Sequence, residues 1–150
     1  MTELDKDALT ADPEALGAFN RRIVEEFRTN AGDVPSVPGG ALLLLHTTGA
    51  KSGEPRLTPL AYLDVEHGWV VPGSSLGSDK NPAWVHNLRA NPQARVEVGT
   101  DEYDVIAREL HDGEREALFA AFAQRAPALA QHQQHTERVI PLFELRRTTP

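Results

Sequence analysis

The segment from His46 to Arg56 combines the residue types that an anion-binding loop needs. It reads His-Thr-Thr-Gly-Ala-Lys-Ser-Gly-Glu-Pro-Arg. Glycines let a ligand approach the backbone closely, N–H and hydroxyl groups donate hydrogen bonds, and Lys51 and Arg56 carry fixed positive charge. It is not a Walker A loop, because Ala50 rather than glycine precedes Lys51. From composition alone, an anion site and a solvated hairpin turn are equally good interpretations.

A second candidate is the glycine- and serine-rich stretch from Gly73 to Asp79, which leads into a helix that opens at Asn81-Pro82. Unpaired N–H groups at a helix N-terminus can bind a phosphate or the polar edge of a ring. Trp84, in the first turn of that helix, could form the wall of an aromatic ligand's pocket. The simpler interpretation is that it belongs to the core.

The elements that must position these loops follow from apolar periodicity and from the Gly and Pro signals. We predict an α+β fold of about six short, mostly antiparallel strands with inserted helices. A doubly wound sheet is disfavoured, because the crossover helices that parallel strands need are missing. The predicted strands cover residues 41–48, 56–65, 69–71, 95–98, 103–110 and 141–146, and the predicted helices cover residues 13–30, 81–91, 112–124 and 128–135.

Composition limits the class of protein. The 150 residues suit a single domain over 1–150, with residues 1–12 as a flexible tail. With 22 acidic against 15 basic residues the net charge is -7, which disfavours nucleic acid as a partner. The chain has no cysteine, so disulfides, thiolate metal sites and cysteine nucleophiles are excluded.

Hydropathy predicts no transmembrane segment, because the longest apolar run, Ala41 to Leu45, is far shorter than the roughly 20 residues that cross a bilayer. The acidic N-terminus shows no export signal, and we expect a cytoplasmic protein. Peripheral membrane association through the helix at 13–30 is left open, with its mixed-sign polar face favouring solution.

Three ordered blocks carry a family resemblance. Residues 47–60 read TTGxKSGxPRxTPL, residues 81–92 read NPxWxxNLxANP, and residues 136–141 read TxRxIP. Together with the serine loop between the first two blocks, they resemble the deazaflavin-dependent nitroreductase family over about Phe19 to Leu145.

The resemblance implies a split β-barrel of the FMN-binding-like kind that binds coenzyme F420, a 5-deazaflavin with an anionic tail, and transfers hydride from its reduced form. The acceptor would be a small electron-poor molecule such as a quinone, an enone or a nitro compound. Site residues carry over in three groups: Lys51, Ser52 and Arg56 for the anionic tail; Leu57, Thr58, Pro59, Leu60 and Ala61 beside the ring; and Gly73, Ser74, Ser75, Leu76, Trp84, Val85 and Asn87 around the ring's polar edge and the pocket.

Ser75 is the predicted catalytic residue, because a hydroxyl can donate or accept a hydrogen bond without bringing a charge into a dry pocket. Ala126, Leu129 and His132 occupy positions where nitroreducing members of the family have tyrosines that close over the substrate. Leu129 and His132 are therefore the predicted substrate contacts, and the lost tyrosines count against nitroaromatic reduction. A homodimer is left open.

Two alternatives remain beside the enzyme. One is a non-catalytic carrier of F420 or a flavin, and the other is an FMN-dependent reductase of related fold, because phosphate recognition alone does not distinguish the two cofactors. No metal site is predicted: His132 and His135 could chelate an ion from one helix face, but no further ligand stands at a supporting spacing.

Overall fold

The computed structural model describes residues 13–34, 42–74 and 80–148, and the predicted N-terminal tail lies outside them. These residues form four helices and seven strands. The helices are α1 (Pro13–Thr29), α2 (Ala83–Ala90), α3 (Asp112–Arg125) and α4 (Pro127–Gln134). The strands are β1 (Leu42–Thr48), β2 (Pro55–Ala61), β3 (Leu63–Val65), β4 (Gly68–Pro72), β5 (Gln93–Val98), β6 (Asp101–Glu109) and β7 (Leu142–Arg147).

All seven strands belong to one antiparallel sheet in the order β2-β1-β5-β6-β7-β4-β3. Its two edge strands, β2 and β3, are consecutive in the chain and are separated only by Tyr62. Because one residue joins them end to end, the two edges approach each other at this point and the sheet has to curl round. This is the curled antiparallel architecture with flanking helices that the sequence predicts.

The prediction of one strand over Arg56 to Val65 is wrong in one respect. The chain does run extended through this stretch, but it pairs with β1 before Tyr62 and with β4 after it. Periodicity reports only that a segment is extended and half-buried, whereas the change of partner depends on how the sheet closes. The barrel therefore has seven strands where the sequence predicts about six.

Strand β1 is buried on both faces. Leu43 and Leu45 pack inside the curled sheet with Trp69, Trp84 and Phe143. Leu42 and Leu44 face the other way and are covered by Ile23 and Phe27 of α1. Burial on both faces explains why β1 is a continuous apolar run rather than an alternating one.

Helix α1 is also tied to the sheet by charge. Arg28 Nη2 lies 2.8 Å from Glu97 Oε2 on β5, and His46 Nε2 of β1 lies 2.6 Å from the same oxygen. Partial burial by itself raises the pKa of Glu97, but the hydrogen bonds with Arg28 and His46 outweigh it and the pKa lies below its usual value. Glu97 is therefore a carboxylate that joins α1, β1 and β5.

A separate apolar cluster lies under α3 and α4. Phe122 of α3 and Leu129 of α4 are buried there against Leu110, Ile140 and Leu142. The predicted helices at 112–124 and 128–135 are confirmed to within one residue at each end. Together α3 and α4 brace the segment that leads into β7. None of the helices in the described ranges is long and apolar enough to cross a membrane.

Candidate functional site

The predicted anion-binding loop is a tight hairpin between β1 and β2. Its backbone closes on itself: Gly49 N–H donates to the Glu54 carbonyl at 2.8 Å, and Gly53 N–H donates to the Gly49 carbonyl at 2.9 Å. Ser52 Oγ accepts a hydrogen bond from Glu54 N–H at 3.1 Å. Gly53 has a φ of 70°, a conformation that glycine adopts without strain. The loop is therefore a defined structure rather than a loose connection.

Two exposed cations project from this hairpin. Lys51 makes no hydrogen bond or ion pair within the described part of the chain. Arg56 Nη2 lies 3.7 Å from Glu54 Oε2, and the two side chains are 54% and 68% exposed, so this ion pair is weak. Both positive charges are consequently available to an anionic ligand.

Asn87 of α2 holds the hairpin against the body of the protein. Its Oδ1 accepts a hydrogen bond from Ala50 N–H at 2.9 Å, and its Nδ2 donates to Thr47 Oγ1 at 3.2 Å. Asn87 and Thr47 are only 6% and 5% exposed. The amide predicted to flank the pocket thus fixes the base of the loop immediately before Lys51.

The second predicted loop begins at Gly73, directly after β4. Gly73 N–H donates to the Pro141 carbonyl at 2.8 Å. A Cβ at this position would lie 2.8 Å from Val85 Cγ2 and 2.9 Å from Pro141 Cγ, so the site has no room for a side chain. Ser74 is half-buried, whereas Ser75 and Leu76 lie outside the described residues. The predicted catalytic role of Ser75 stays a prediction.

Arg138 joins the beginning of this loop to the start of α2. Its Nη1 donates to the Gly73 carbonyl at 3.0 Å and to Asn81 Oδ1 at 2.8 Å, and its Nη2 donates to the Ser74 carbonyl at 2.8 Å. Sequence reasoning used Arg138 only as part of the third block of the resemblance and gave it no role. A half-buried arginine between two loop ends has no periodic signal from which this contact could have been inferred.

Helix α2 is the element that both loops share. Asn81, just before its first turn, meets Arg138, and Asn87, in its second turn, meets the hairpin. The four helical steps from Ala83 to Asn87 rise by about 6 Å. One short helix therefore sets the spacing between the cationic hairpin and the Gly73–Ser74 segment.

The predicted ring-side stretch Leu57 to Ala61 divides between two faces of β2. Thr58 pairs with Leu45 and Leu60 pairs with Leu43, which places them on the inner face of the sheet. Leu57, Pro59 and Ala61 alternate with them and share the face that α1 covers. The side chains of Thr58 and Leu60 are thus the members of this stretch on the same face as Arg56.

Three other predicted contacts are largely buried. Trp84 and Val85 are 3% and 0% exposed within the main core, where the Trp84 ring meets Phe143 edge-on with centroids 5.7 Å apart. Leu129 is 4% exposed in the cluster under α3 and α4. Core packing explains all three positions, and their contact with cofactor or substrate stays a prediction, as does that of the half-buried His132.

No group of three or more His, Asp or Glu side chains that could hold a metal ion occurs within residues 13–34, 42–74 and 80–148. His132 and His135 both lie at the C-terminal end of α4. The hairpin instead exposes the cations Lys51 and Arg56. Such side chains suit an anionic ligand better than a metal ion.

Comparison with known proteins assigns the family. The model of the F420H(2)-dependent quinone reductase family matches residues 19–146. This chain belongs to that family. The match confirms the resemblance predicted from the three sequence blocks, and quinone is the acceptor in the family's description.

Individual proteins similar to this chain support the same family assignment. The chain is 35% identical over 117 residues to an F420H(2)-dependent quinone reductase of Mycobacterium tuberculosis strain H37Rv, covering 76% of this chain and 77% of that protein. A solved F420H2-dependent reductase has 36% identity and a TM-score of 0.65, with 70% of this chain and 93% of that chain covered. A solved domain-swapped dimer has 33% identity and a TM-score of 0.67, covering 83% and 96%. These structures confirm the predicted α+β split β-barrel.

Proposed function

We propose that this protein is an F420H2-dependent reductase that passes hydride from the reduced deazaflavin to a quinone or a similar electron-poor acceptor. Bound F420H2 would supply the hydride, and the chain would supply binding, orientation and exclusion of water. The family membership supports this function. The absence of cysteine from the chain means that no protein thiol takes part in the electron transfer.

The observation that carries the proposal is the pair of exposed cations on a fixed loop. Lys51 and Arg56 project from a hairpin whose backbone is closed internally and anchored by Asn87. Because the loop backbone is already ordered, only the two side chains lose conformational freedom on binding, which favours an anionic ligand more than a mobile loop would. An anionic cofactor tail fits this donor set, with Ser52 as a further hydroxyl contact.

The ring of the cofactor would lie between β2 and the Gly73–Ser74 segment. Thr58 and Leu60 present a half-buried, mainly apolar surface on β2, and the peptide between Gly73 and Ser74 directs the Ser74 N–H away from Arg138. We propose that Ser75, beyond the described residues, hydrogen-bonds the ring. Leu129 and His132 remain the proposed substrate contacts, and Trp84 and Val85 act from the core beneath the pocket.

Binding measurements separate this proposal from the FMN alternative. The purified protein is titrated with oxidised F420 and with FMN, following the fluorescence of each. We expect F420 to bind with micromolar affinity or better and FMN more weakly. The double variant Lys51→Ala/Arg56→Ala should abolish F420 binding, whereas Arg21→Ala/Arg22→Ala, which removes the same charge from the exposed face of α1, should not. Tighter binding of FMN than of F420 would favour the alternative.

We also propose that the protein forms a homodimer and resides in the cytoplasm. Strand β2 is an edge of the sheet, and edge strands offer backbone groups for pairing with another chain. The likeness to a solved domain-swapped dimer supports self-association. Light scattering on the purified protein tests the dimer, and a monomer at all concentrations would refute it.

Fractionation of cells tests the location, and we expect the protein in the cytoplasmic fraction.

A further inference from the structure

Three oxygen atoms from two separate parts of the chain converge on the guanidinium group of Arg138. Two are the carbonyl oxygens of Gly73 and Ser74, and the third is Oδ1 of Asn81. The three donor–acceptor distances lie between 2.8 and 3.0 Å. Arg138 thus connects the exit of β4 with the approach to α2.

Arginine suits this position better than lysine. Its planar guanidinium directs several N–H groups at fixed angles, so one side chain can satisfy three acceptors at once. A lysine ammonium is a point charge on a flexible stem and does not reproduce that geometry.

The hydrogen bond from Arg138 to the Gly73 carbonyl also fixes the direction in which the Ser74 N–H points. The described residues contain no cis peptide bond, so the carbonyl of Gly73 and the N–H of Ser74 point to opposite sides of their shared peptide plane. Because the Gly73 carbonyl faces Arg138, the Ser74 N–H points away from it. Arg138 therefore determines where the Ser74 N–H is aimed.

We propose that Arg138 is a positioning residue for the cofactor, holding Gly73, Ser74 and Asn81 in the arrangement that receives the polar edge of the F420 ring. This inference rests on the proposed function. Arg138 acts through the backbone of the loop and is not itself a catalytic residue.

Other contacts hold the segment that carries Arg138. Gln133 Nε2 donates to the Arg138 carbonyl at 2.7 Å, and Gln133 Oε1 accepts from Ile140 N–H at 2.9 Å. Buried Arg115 donates to the Ile140 carbonyl at 2.6 Å. These contacts involve the backbone and not the Arg138 guanidinium. Truncation of the Arg138 side chain therefore leaves the segment anchored while releasing the loop.

The test compares Arg138→Met and Arg138→Lys with Arg89→Met. Arg89, in the last turn of α2, makes two hydrogen bonds of 2.9 Å to Glu109 of β6, so this control removes another well-paired arginine. We expect Arg138→Met to weaken F420 binding and to raise the KM for F420H2, each by roughly tenfold, because charge-assisted hydrogen bonds are lost. The KM for the quinone should stay the same. Arg138→Lys should give a smaller loss, and Arg89→Met should leave all three constants unchanged.

A second readout needs no cofactor. In the free protein, the Gly73 N–H donates to the Pro141 carbonyl at 2.8 Å, so its amide hydrogen exchange, measured by NMR, should speed up in Arg138→Met and not in Arg89→Met. If the wild-type protein binds no F420, the proposed function fails, and the loss of exchange protection alone then decides whether Arg138 orders the loop.

The inference is overturned if Arg138→Met folds, keeps the affinity of the wild type for F420 within twofold, and leaves the exchange of the Gly73 amide unchanged. Should Arg138→Met not fold, Asn81→Ala removes one of the three acceptors and leaves Arg138 in place. It should weaken F420 binding in the same direction and by less. Unchanged F420 binding in both Asn81→Ala and Arg138→Lys would equally overturn the inference.

Discussion

The side-chain amide of Asn87 accepts a hydrogen bond from the backbone N–H of Ala50 at 2.9 Å, joining helix α2 to the hairpin that carries Lys51. The same amide donates to Thr47 Oγ1 at 3.2 Å, at the end of β1. All side-chain polar atoms that are fully buried in the described part of the chain have a hydrogen-bond partner. Asn87 is therefore a buried polar link between α2, the end of β1 and the hairpin.

Replacement of Asn87 by alanine should weaken both folding and F420 binding. It leaves the buried Thr47 hydroxyl without its partner, which costs about 1–3 kcal/mol. The half-buried contact with the Ala50 N–H is lost as well. The loop that carries Lys51 also loses its anchor, so we expect a several-fold higher Kd for F420. Chemical denaturation and fluorescence titration measure the two effects.

The matched control for that variant is Thr47→Val, which removes the hydroxyl but keeps the Ala50 contact. It should lower the free energy of unfolding and change the Kd for F420 much less than Asn87→Ala does. An equal loss of F420 binding in both variants would mean that the anchor acts through general stability and not through the loop.

Gly73 is expected to tolerate no side chain. A Cβ there would press on Val85 and Pro141, and overpacking of this kind costs about 1–3 kcal/mol. Gly73→Ala should therefore lower the melting temperature and weaken F420 binding. Gly113→Ala is the control, because a Cβ at Gly113 in the first turn of α3 meets no atom within 4 Å. A Gly73→Ala variant as stable as the wild type would contradict the close packing.

Glu97 should make the stability of the protein sensitive to acid. Because its pKa is lower in the folded than in the unfolded protein, ionised Glu97 stabilises the fold above the unfolded pKa of about 4.3. That contribution is lost as the pH falls through the folded pKa. The melting temperature of the wild type should thus fall more steeply below about pH 5 than that of Glu97→Gln.

The control for this pH dependence is Glu25→Gln. Glu25 lies on the exposed side of helix α1, the helix that Glu97 of β5 contacts through Arg28. The control variant should follow the wild-type curve throughout. If Glu97→Gln also follows it, the contacts with Arg28 and His46 do not stabilise the folded state.

The sequence was sufficient to predict most of the elements and the residue types of the hairpin between β1 and β2, because both depend on local patterns. Turn residues and cations between two strands identify the hairpin from Gly49 to Glu54 without any tertiary knowledge. The family resemblance then added the cofactor. The bounds of the predicted helices differ from the structure by only one or two residues.

What the sequence could not provide are contacts between residues far apart in the chain. Arg138 lies 65 residues from Gly73, and His46 lies 51 residues from Glu97. Neither pair has a spacing that a helix or strand period would reveal. The sequence shows that Thr58 and Leu60 alternate with Leu57 and Pro59. Only the register of β2 against β1 shows which of the two pairs lies on the inner face of the sheet.

Anaerobic turnover is the most direct test of the central proposal. F420H2 is mixed with a quinone, with and without the protein, and the return of the absorbance of oxidised F420 is followed. We predict a rate that is proportional to protein concentration, saturates with F420H2, and disappears in Lys51→Ala/Arg56→Ala. Tight binding of F420 with no acceleration of its reoxidation by quinones, enones or nitro compounds would contradict the enzyme and identify a carrier.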